Sequence, residues 1–176
     1  LKLEDGLPFD KKIKDNNYDI VIHSVGTFSI NNKTILKNIK DSSLEEWNYC
    51  CNSMLTSAYH TIKFACENMK KGSILIFLGS SSYPKGRQNF GLYSPFKVGL
   101  KSLVETACEE LEPLGIRIHC IHPSRTNTPM RDVLEEDNRN NNEKFIQPED
   151  IAKIIIDYCG DKKLNGQHPL IRVGFK

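Results

Sequence analysis

What this chain lacks narrows its chemistry before any motif is considered. None of its six cysteines (Cys50, Cys51, Cys66, Cys108, Cys120 and Cys159) forms a CxxC pair, which removes the common spacings of zinc sites and dithiol redox motifs. They lie mostly within apolar segments and read as reduced, buried thiols, which suits a reducing cytoplasm. Adjacent Cys50 and Cys51 would point apart on a helix and read as packing groups, not as a redox pair. No run approaches the roughly 20 apolar residues that cross a bilayer. Neither sign of charge is in excess: 24 Lys and Arg stand against 22 Asp and Glu, a balance too even to mark nucleic acid or an anionic membrane as a partner. The start, Leu-Lys-Leu-Glu-Asp-Gly, has neither an initiator methionine nor a signal peptide, and from it we expect the chain to begin inside a longer polypeptide.

What is present is enough for one folded domain. The 176 residues are 39% hydrophobic, sufficient for a sizeable core. Tyr18-Asp-Ile-Val-Ile-His-Ser24 and Ser73-Ile-Leu-Ile-Phe-Leu-Gly79 are short β-branched apolar runs that each end near a glycine, the pattern of buried strands. Between them, Ser43-Leu-Glu-Glu46 resembles a capping box, and Trp47, Met54, Leu55, Ala58, Ile62 and Ala65 recur at helical spacing through Met69, so a long crossover helix is expected. The alternation continues with a helix from about Leu92 to Leu111, a strand over 116–122, a helix after Pro148 and a strand over 169–173. Repeated βαβ units imply a parallel sheet flanked by helices. The acidic and asparagine-rich stretch 131–144 breaks the pattern and is expected to be a loop or mobile flap. No internal repeat suggests a second domain.

The chemistry gathers around Tyr93-Ser-Pro-Phe-Lys97. A phenol and an ammonium at i and i+4 share one face of a helix start, where Pro95 is tolerated, and a lysine so placed can lower a phenol's pKa. Ser80 lies 13 residues earlier, at the end of the second strand, so strand end and helix start can converge at the C-terminal edge of the sheet, where such sheets bind ligands.

A serine at a strand end, YxxxK about 13 residues later and then a proline-containing strand end resemble the short-chain dehydrogenase/reductase family. His23-Ser-Val-Gly26 stands where that family has NNAG, residues 122–130 resemble its PG…TP(M) loop, and Leu164-Asn-Gly-Gln167 resembles its closing TGQ segment. The resemblance implies a Rossmann-like, doubly wound parallel sheet. It implies that Tyr93 gives a proton to a substrate carbonyl while Ser80 hydrogen-bonds the same oxygen, and that Lys97 binds the nicotinamide ribose and supports the tyrosinate. Gly26, Pro123, Thr126 and Thr128 would line the cofactor, Thr128 at the carboxamide. The physical need is for fixed donors where charge develops on the carbonyl oxygen.

The chain also departs from the family pattern. Met54 falls where the family has its active-site asparagine, and Asn52, two positions away, points about 200° off that face. His23 reads as a structural residue. The Gly-rich TGxxxGxG turn, with the first strand, first helix and second strand, has no counterpart in the 176 residues, and nothing in residues 1–17 could hold a pyrophosphate in its place. The sheet is therefore expected to be incomplete at its N-terminal side, and the isolated chain to bind dinucleotide poorly. Within the family, residues 79–87 and 123–131 resemble the loops of the reductase half of ribulose 5-phosphate reductase/CDP-ribitol pyrophosphorylases, with Ser124 in place of a usual glutamate. That likeness implies NADP(H) in preference to NAD(H), D-ribulose 5-phosphate as substrate, and a phosphate clamp of Arg87, Arg125 and Arg131. It places a substrate lid near 131–146, and the family's four-helix interface implies a homodimer. A non-catalytic module that stabilises or dimerises an attached enzyme is the alternative expectation.

Overall fold

The computed structural model describes residues 18–31, 33–81, 86–132, 145–160 and 170–173. The apolar runs form strands: β1 (Tyr18–His23), β4 (Met69–Leu78), β5 (Arg117–Pro123) and β6 (Leu170–Val173) make a four-stranded sheet in the order β1-β4-β5-β6, with every neighbouring pair parallel. A two-stranded antiparallel hairpin, β2 (Ser29–Ile30) and β3 (Lys33–Thr34), lies in the connection after β1. Sequence periodicity gives no sign of it, because two-residue strands are too short to show alternation.

The alternation of β4 decides what covers each face of the sheet. Leu75 and Phe77, with Ile118 and Cys120 of β5, face one layer of helices, α2 (Ser57–Asn68) and α3 (Ser94–Leu111). Ile74 and Ile76, with Ile121, face the other side, where Ile154, Ile155, Tyr158 and Cys159 of the helix at Pro148–Gly160 pack on them. Helices on both faces make the sheet doubly wound, as the sequence predicts. In α3 the buried positions Phe96, Leu100, Val104, Ala107 and Leu111 recur at helical spacing. Each large side chain so buried contributes roughly 2 kcal/mol. No helix among the described residues is long and apolar enough to cross a membrane.

The expected long crossover helix is broken. It begins at α1 (Leu44–Cys51) with both hydrogen bonds of the capping box in place between Ser43 and Glu46. It then widens into a π turn over Asn52–Thr56 before resuming as α2. There the Ser57 N–H reaches back five residues to the Asn52 carbonyl. A π turn inserts an extra residue into the helical repeat and commonly marks a functional site.

β4 starts at Met69, four residues earlier than its apolar run suggests. The pairing with β1 slips between Tyr18 and Ile20, and Gly72, at φ 93°, supplies the backbone conformation that such an irregularity needs. β1 is the edge strand among those described, and its Ile20 and Ile22 are each about half exposed.

Most of the expected flap lies outside the described residues, which reach it only at its ends. Pro129–Asp132 form a short helix, α4, and the helix at 148–160 is therefore α5. Ile146 is buried and anchored by backbone bonds to Arg125 and Asn127, because an apolar side chain there is drawn to the sheet's end. Residues 133–144, and the TGQ-like segment 164–167, lie outside the described residues. The cysteines are free thiols, with Cys50 and Cys120 buried as expected but Cys66 exposed, because it sits on the solvent side of α2.

Candidate active site

Three side chains, one just past β4 and two at the start of α3, meet at the C-terminal edge of the sheet. Ser80 follows β4. Its backbone is clamped by the buried His122 of β5, whose Nδ1 accepts the Ser80 N–H at 3.2 Å and lies 3.1 Å from the Ser80 carbonyl. The neighbouring Gly79 and Ser81 amides donate to the Ile121 and Pro123 carbonyls, extending the β4–β5 pairing past the strand's end. Tyr93 caps the start of α3, with Pro95 in the first turn. The Lys97 N–H donates to the Tyr93 carbonyl at 3.2 Å, which fixes phenol and ammonium on one face. The Ser80 hydroxyl hydrogen-bonds the Tyr93 phenol, so the sequence-predicted pair is in contact.

Lys97 is buried and crosses under the strand ends. Its Nζ donates to the Leu78 carbonyl at 2.9 Å and the Val25 carbonyl at 3.1 Å, joining α3 to the ends of β4 and β1. A Cβ on Gly26 would stand 3.3 Å from this Nζ and 3.9 Å from the Met130 methyl, so glycine preserves a cradle over the ammonium. Burial lowers the Lys97 pKa to about 8, opposed by the neighbouring Cys120.

The expected effect of Lys97 on the phenol is not found. Burial raises the Tyr93 pKa above its usual value, only partly offset by the Ser80 hydrogen bond. The ammonium is 5.8 Å from the ring centroid and committed to backbone carbonyls, so it does little to favour the phenolate here.

The phenol ring sits in an apolar wall that sequence reasoning missed. Phe28, after β1, lies 4.6 Å from the Tyr93 ring centroid, and Phe90 lies 6.0 Å from Phe28 and 6.1 Å from Tyr93. Ile35, Leu92, Phe96 and Met54 belong to the same cluster. Met54 is fully buried in the π turn. Asn52 instead accepts a hydrogen bond from Thr56. The signals in the sequence are Phe90, three residues before Tyr93, and His122, a histidine near the end of a buried strand.

The remaining predicted residues are distributed along the same edge. Pro123 ends β5, Thr126 closes a tight turn onto the Ser124 carbonyl and bridges Ile146, and Thr128 precedes α4. Arg87 and Arg125 are exposed on separate loops, and the side chain of Arg131 lies outside the described part of the structure. The three-arginine clamp is thus not among the described contacts.

Gly79 offers a direct check on this architecture. A Cβ there would collide with the buried His122 ring and stand 2.9 Å from Cys120 Sγ. Gly79→Ala is expected to destabilise the fold by about 1–3 kcal/mol, the range for overpacking a filled core, and to displace Ser80 with it. Urea unfolding measures the first effect, and an unchanged midpoint would show that this contact is not tight.

Known proteins resemble the chain in sequence and in fold. A family model described as enoyl-(acyl carrier protein) reductase matches residues 11–168. The chain is similar to the bifunctional ribulose 5-phosphate reductase/CDP-ribitol pyrophosphorylase Bcs1 of Haemophilus influenzae, 32% identical over 120 residues, covering 67% of this chain and 24% of that protein. It is 34% identical over 113 residues to a 3-alpha-(or 20-beta)-hydroxysteroid dehydrogenase of Mycobacterium tuberculosis, covering 61% of this chain and 43% of that protein. Among solved structures, a short-chain dehydrogenase of Burkholderia cenocepacia in complex with NADP superposes with a TM-score of 0.74 at 20% identity, covering 90% of this chain and 65% of that one. A short-chain dehydrogenase/reductase titled glucose/ribitol dehydrogenase, from Brucella melitensis, gives 0.77 at 20% identity, covering 89% and 64%. The chain spans between about a quarter and two thirds of the length of these proteins.

Proposed function

Because the chain belongs to the short-chain dehydrogenase/reductase family, we propose that it carries the proton-transfer half of an NADP(H)-dependent carbonyl reductase, completed by dinucleotide-binding elements from outside these residues. The observation that carries this reading is the contact between the Ser80 hydroxyl and the Tyr93 phenol at the sheet's C-terminal edge, with Lys97 on the same helix face. Packing alone does not require that triad.

The residues present fit the nicotinamide end of the cofactor. The cradle that Gly26 leaves over Lys97 suits a ribose hydroxyl approaching the ammonium, and Pro123, Thr126 and Thr128 lie along the same edge. The bound dinucleotide would supply the hydride. Tyr93 would give its proton to the carbonyl oxygen, and a phenol kept protonated by burial is in the right state to do so. Ser80 would hold that oxygen, and Lys97 would hold the ribose.

For the substrate, D-ribulose 5-phosphate reduced to D-ribitol 5-phosphate is the reading favoured by the similarity to the Haemophilus influenzae protein and by the arginines on the loops after β4 and β5. A homodimer is favoured by a groove on the outer faces of α2 and α3, lined by Leu55, Tyr59, Gly99 and Leu103.

A second reading, a non-catalytic module that supports an attached enzyme, is favoured by Met54 filling the position of the family's asparagine with a fully buried thioether. Following NADPH oxidation by the longest natural form of the protein separates the two. Turnover with D-ribulose 5-phosphate but not with unphosphorylated ribulose supports the sugar-phosphate reductase. Neither turnover nor NADPH binding by that form would end the reductase reading in favour of the module.

A further inference from the structure

The last residue of β1, His23, has an imidazole to which the proposed chemistry gives no task. It is 5% exposed, packs on Phe77 of β4 with ring centroids 5.1 Å apart, and sets Nε2 2.9 Å from the Ser57 hydroxyl at the start of α2. That hydroxyl in turn lies 2.6 Å from the Ser53 carbonyl in the π turn. A carbonyl has no hydrogen to give, so the hydroxyl's only proton must lie between those two oxygens. Ser57 can then only accept from His23, and Nε2 carries the imidazole hydrogen.

Burial, and after it the charge of Lys97, lowers the His23 pKa to about 4, against a smaller opposing pull from its own backbone. The ring is therefore neutral at pH 7, and its Nδ1 presents a bare lone pair. This Nδ1 is buried and has no hydrogen-bond partner among the described residues, a situation that folded proteins rarely leave unanswered. A donor is close in the architecture. The two carbonyls holding Lys97 Nζ are Val25, two residues past His23, and Leu78, one residue past Phe77, the residue that pairs with His23 across the sheet. Those carbonyls use two of the ammonium's three hydrogens.

We propose that His23 is a positioning residue for Lys97: Ser57 locks its imidazole as the Nε2–H tautomer, and Nδ1 accepts the third ammonium hydrogen across one water. The contact makes the π turn part of the site, because the Ser53 carbonyl orients Ser57, Ser57 orients His23, and His23 orients the ammonium. The titratable groups facing this pair are Tyr93 on α3 and Cys120 on β5; the residues contributed by α2 and β4, Ser57 and Phe77, do not titrate. The inference rests on the role proposed for Lys97 and describes the chain before dinucleotide arrives, when the third hydrogen is not yet turned to a ribose; its decisive readouts need no turnover.

The test is an NMR titration of the full chain with labelled histidine and lysine side chains, in wild type, Ser57→Ala and His23→Leu, with circular dichroism to follow folding. Wild type is expected to show His23 as the Nε2–H tautomer. His23→Leu should lower the Lys97 pKa by about one unit or more, since a hydrogen bond to the charged form is lost. Ser57→Ala should admit the Nδ1–H tautomer and move Lys97 in the same direction. An Nδ1–H tautomer in wild type, or a Lys97 titration unmoved in folded His23→Leu, overturns the proposal; if that variant does not fold, Ser57→Ala decides by the same two readouts. Expected titrations together with an inactive longest natural form would remove the reductase reading and leave the His23–Lys97 contact standing. An active enzyme with unmoved titrations would remove the contact alone.

Discussion

Tyr93→Phe, made in the longest natural form of the protein, is expected to lower kcat for ketone reduction about 10²- to 10⁴-fold, the usual contribution of a positioned general acid. The substitution removes one hydroxyl and keeps the ring. The ring is what Phe28 and Phe90 pack against, so folding should be nearly unaffected and the loss should fall on the chemical step. Single-turnover NADPH oxidation measures it, with thermal unfolding as the control. Activity within a few-fold of wild type would show that the proton comes from elsewhere, and the contact between Ser80 and Tyr93 would then be structural.

The second large effect is on stability, and its sign follows from Lys97. With its pKa lowered to about 8 by burial, from a usual value near 10.5, the folded chain releases this proton before the unfolded chain does. Below pH 8 both states hold the proton, and the folded state bears the full cost of a desolvated ammonium. Between pH 8 and 10.5 the unfolded state binds more protons, so stability from this site rises with pH. A shift of this size corresponds to as much as about 3 kcal/mol. Cys120, raised to about 12 by burial, stays protonated through this window. Urea unfolding of wild type and Lys97→Met should therefore show a free-energy difference that climbs in favour of wild type across pH 8 to 10.5. A flat difference would mean that water reaches the ammonium. Reductase activity that needs the charged lysine should decline as the pH rises through about 8.

The sheet and its triad were legible because each rests on a short-range rule. Alternating Ile74, Leu75, Ile76 and Phe77 must cover two faces, and they do. Ser43 and Glu46 close the capping box that their spacing announces. Tyr93 and Lys97 share a face because the first hydrogen bond of α3 joins their backbones. What could not be read depends on residues distant in sequence. The π turn keeps the apolar spacing of an ordinary helix, and only the hydroxyls of Ser53 and Ser57 bonding back to carbonyls mark it. The raised pKa of Tyr93 is invisible in YxxxK, because it comes from a burial to which Phe28 and Met54 contribute from elsewhere in the chain. The arginine clamp was read from loops, where spacing along the chain says little about direction in space. His23 looked merely structural because a histidine ending an apolar strand usually is; its orientation is set by Ser57, 34 residues away.

The edge position of β1 bears on how the molecule behaves in company. A parallel strand whose outer row of amides and carbonyls has no partner among the described residues, and with Ile20 and Ile22 half exposed beside it, is a template on which further strands can add. Along that strand, Asp19, paired with Lys70 at 2.8 Å, supplies the charge that resists such stacking. Concentrated by itself, the chain should form oligomers through this edge, faster in high salt, where the guarding charge is screened. A polypeptide that brings its own strand to that edge would suppress them.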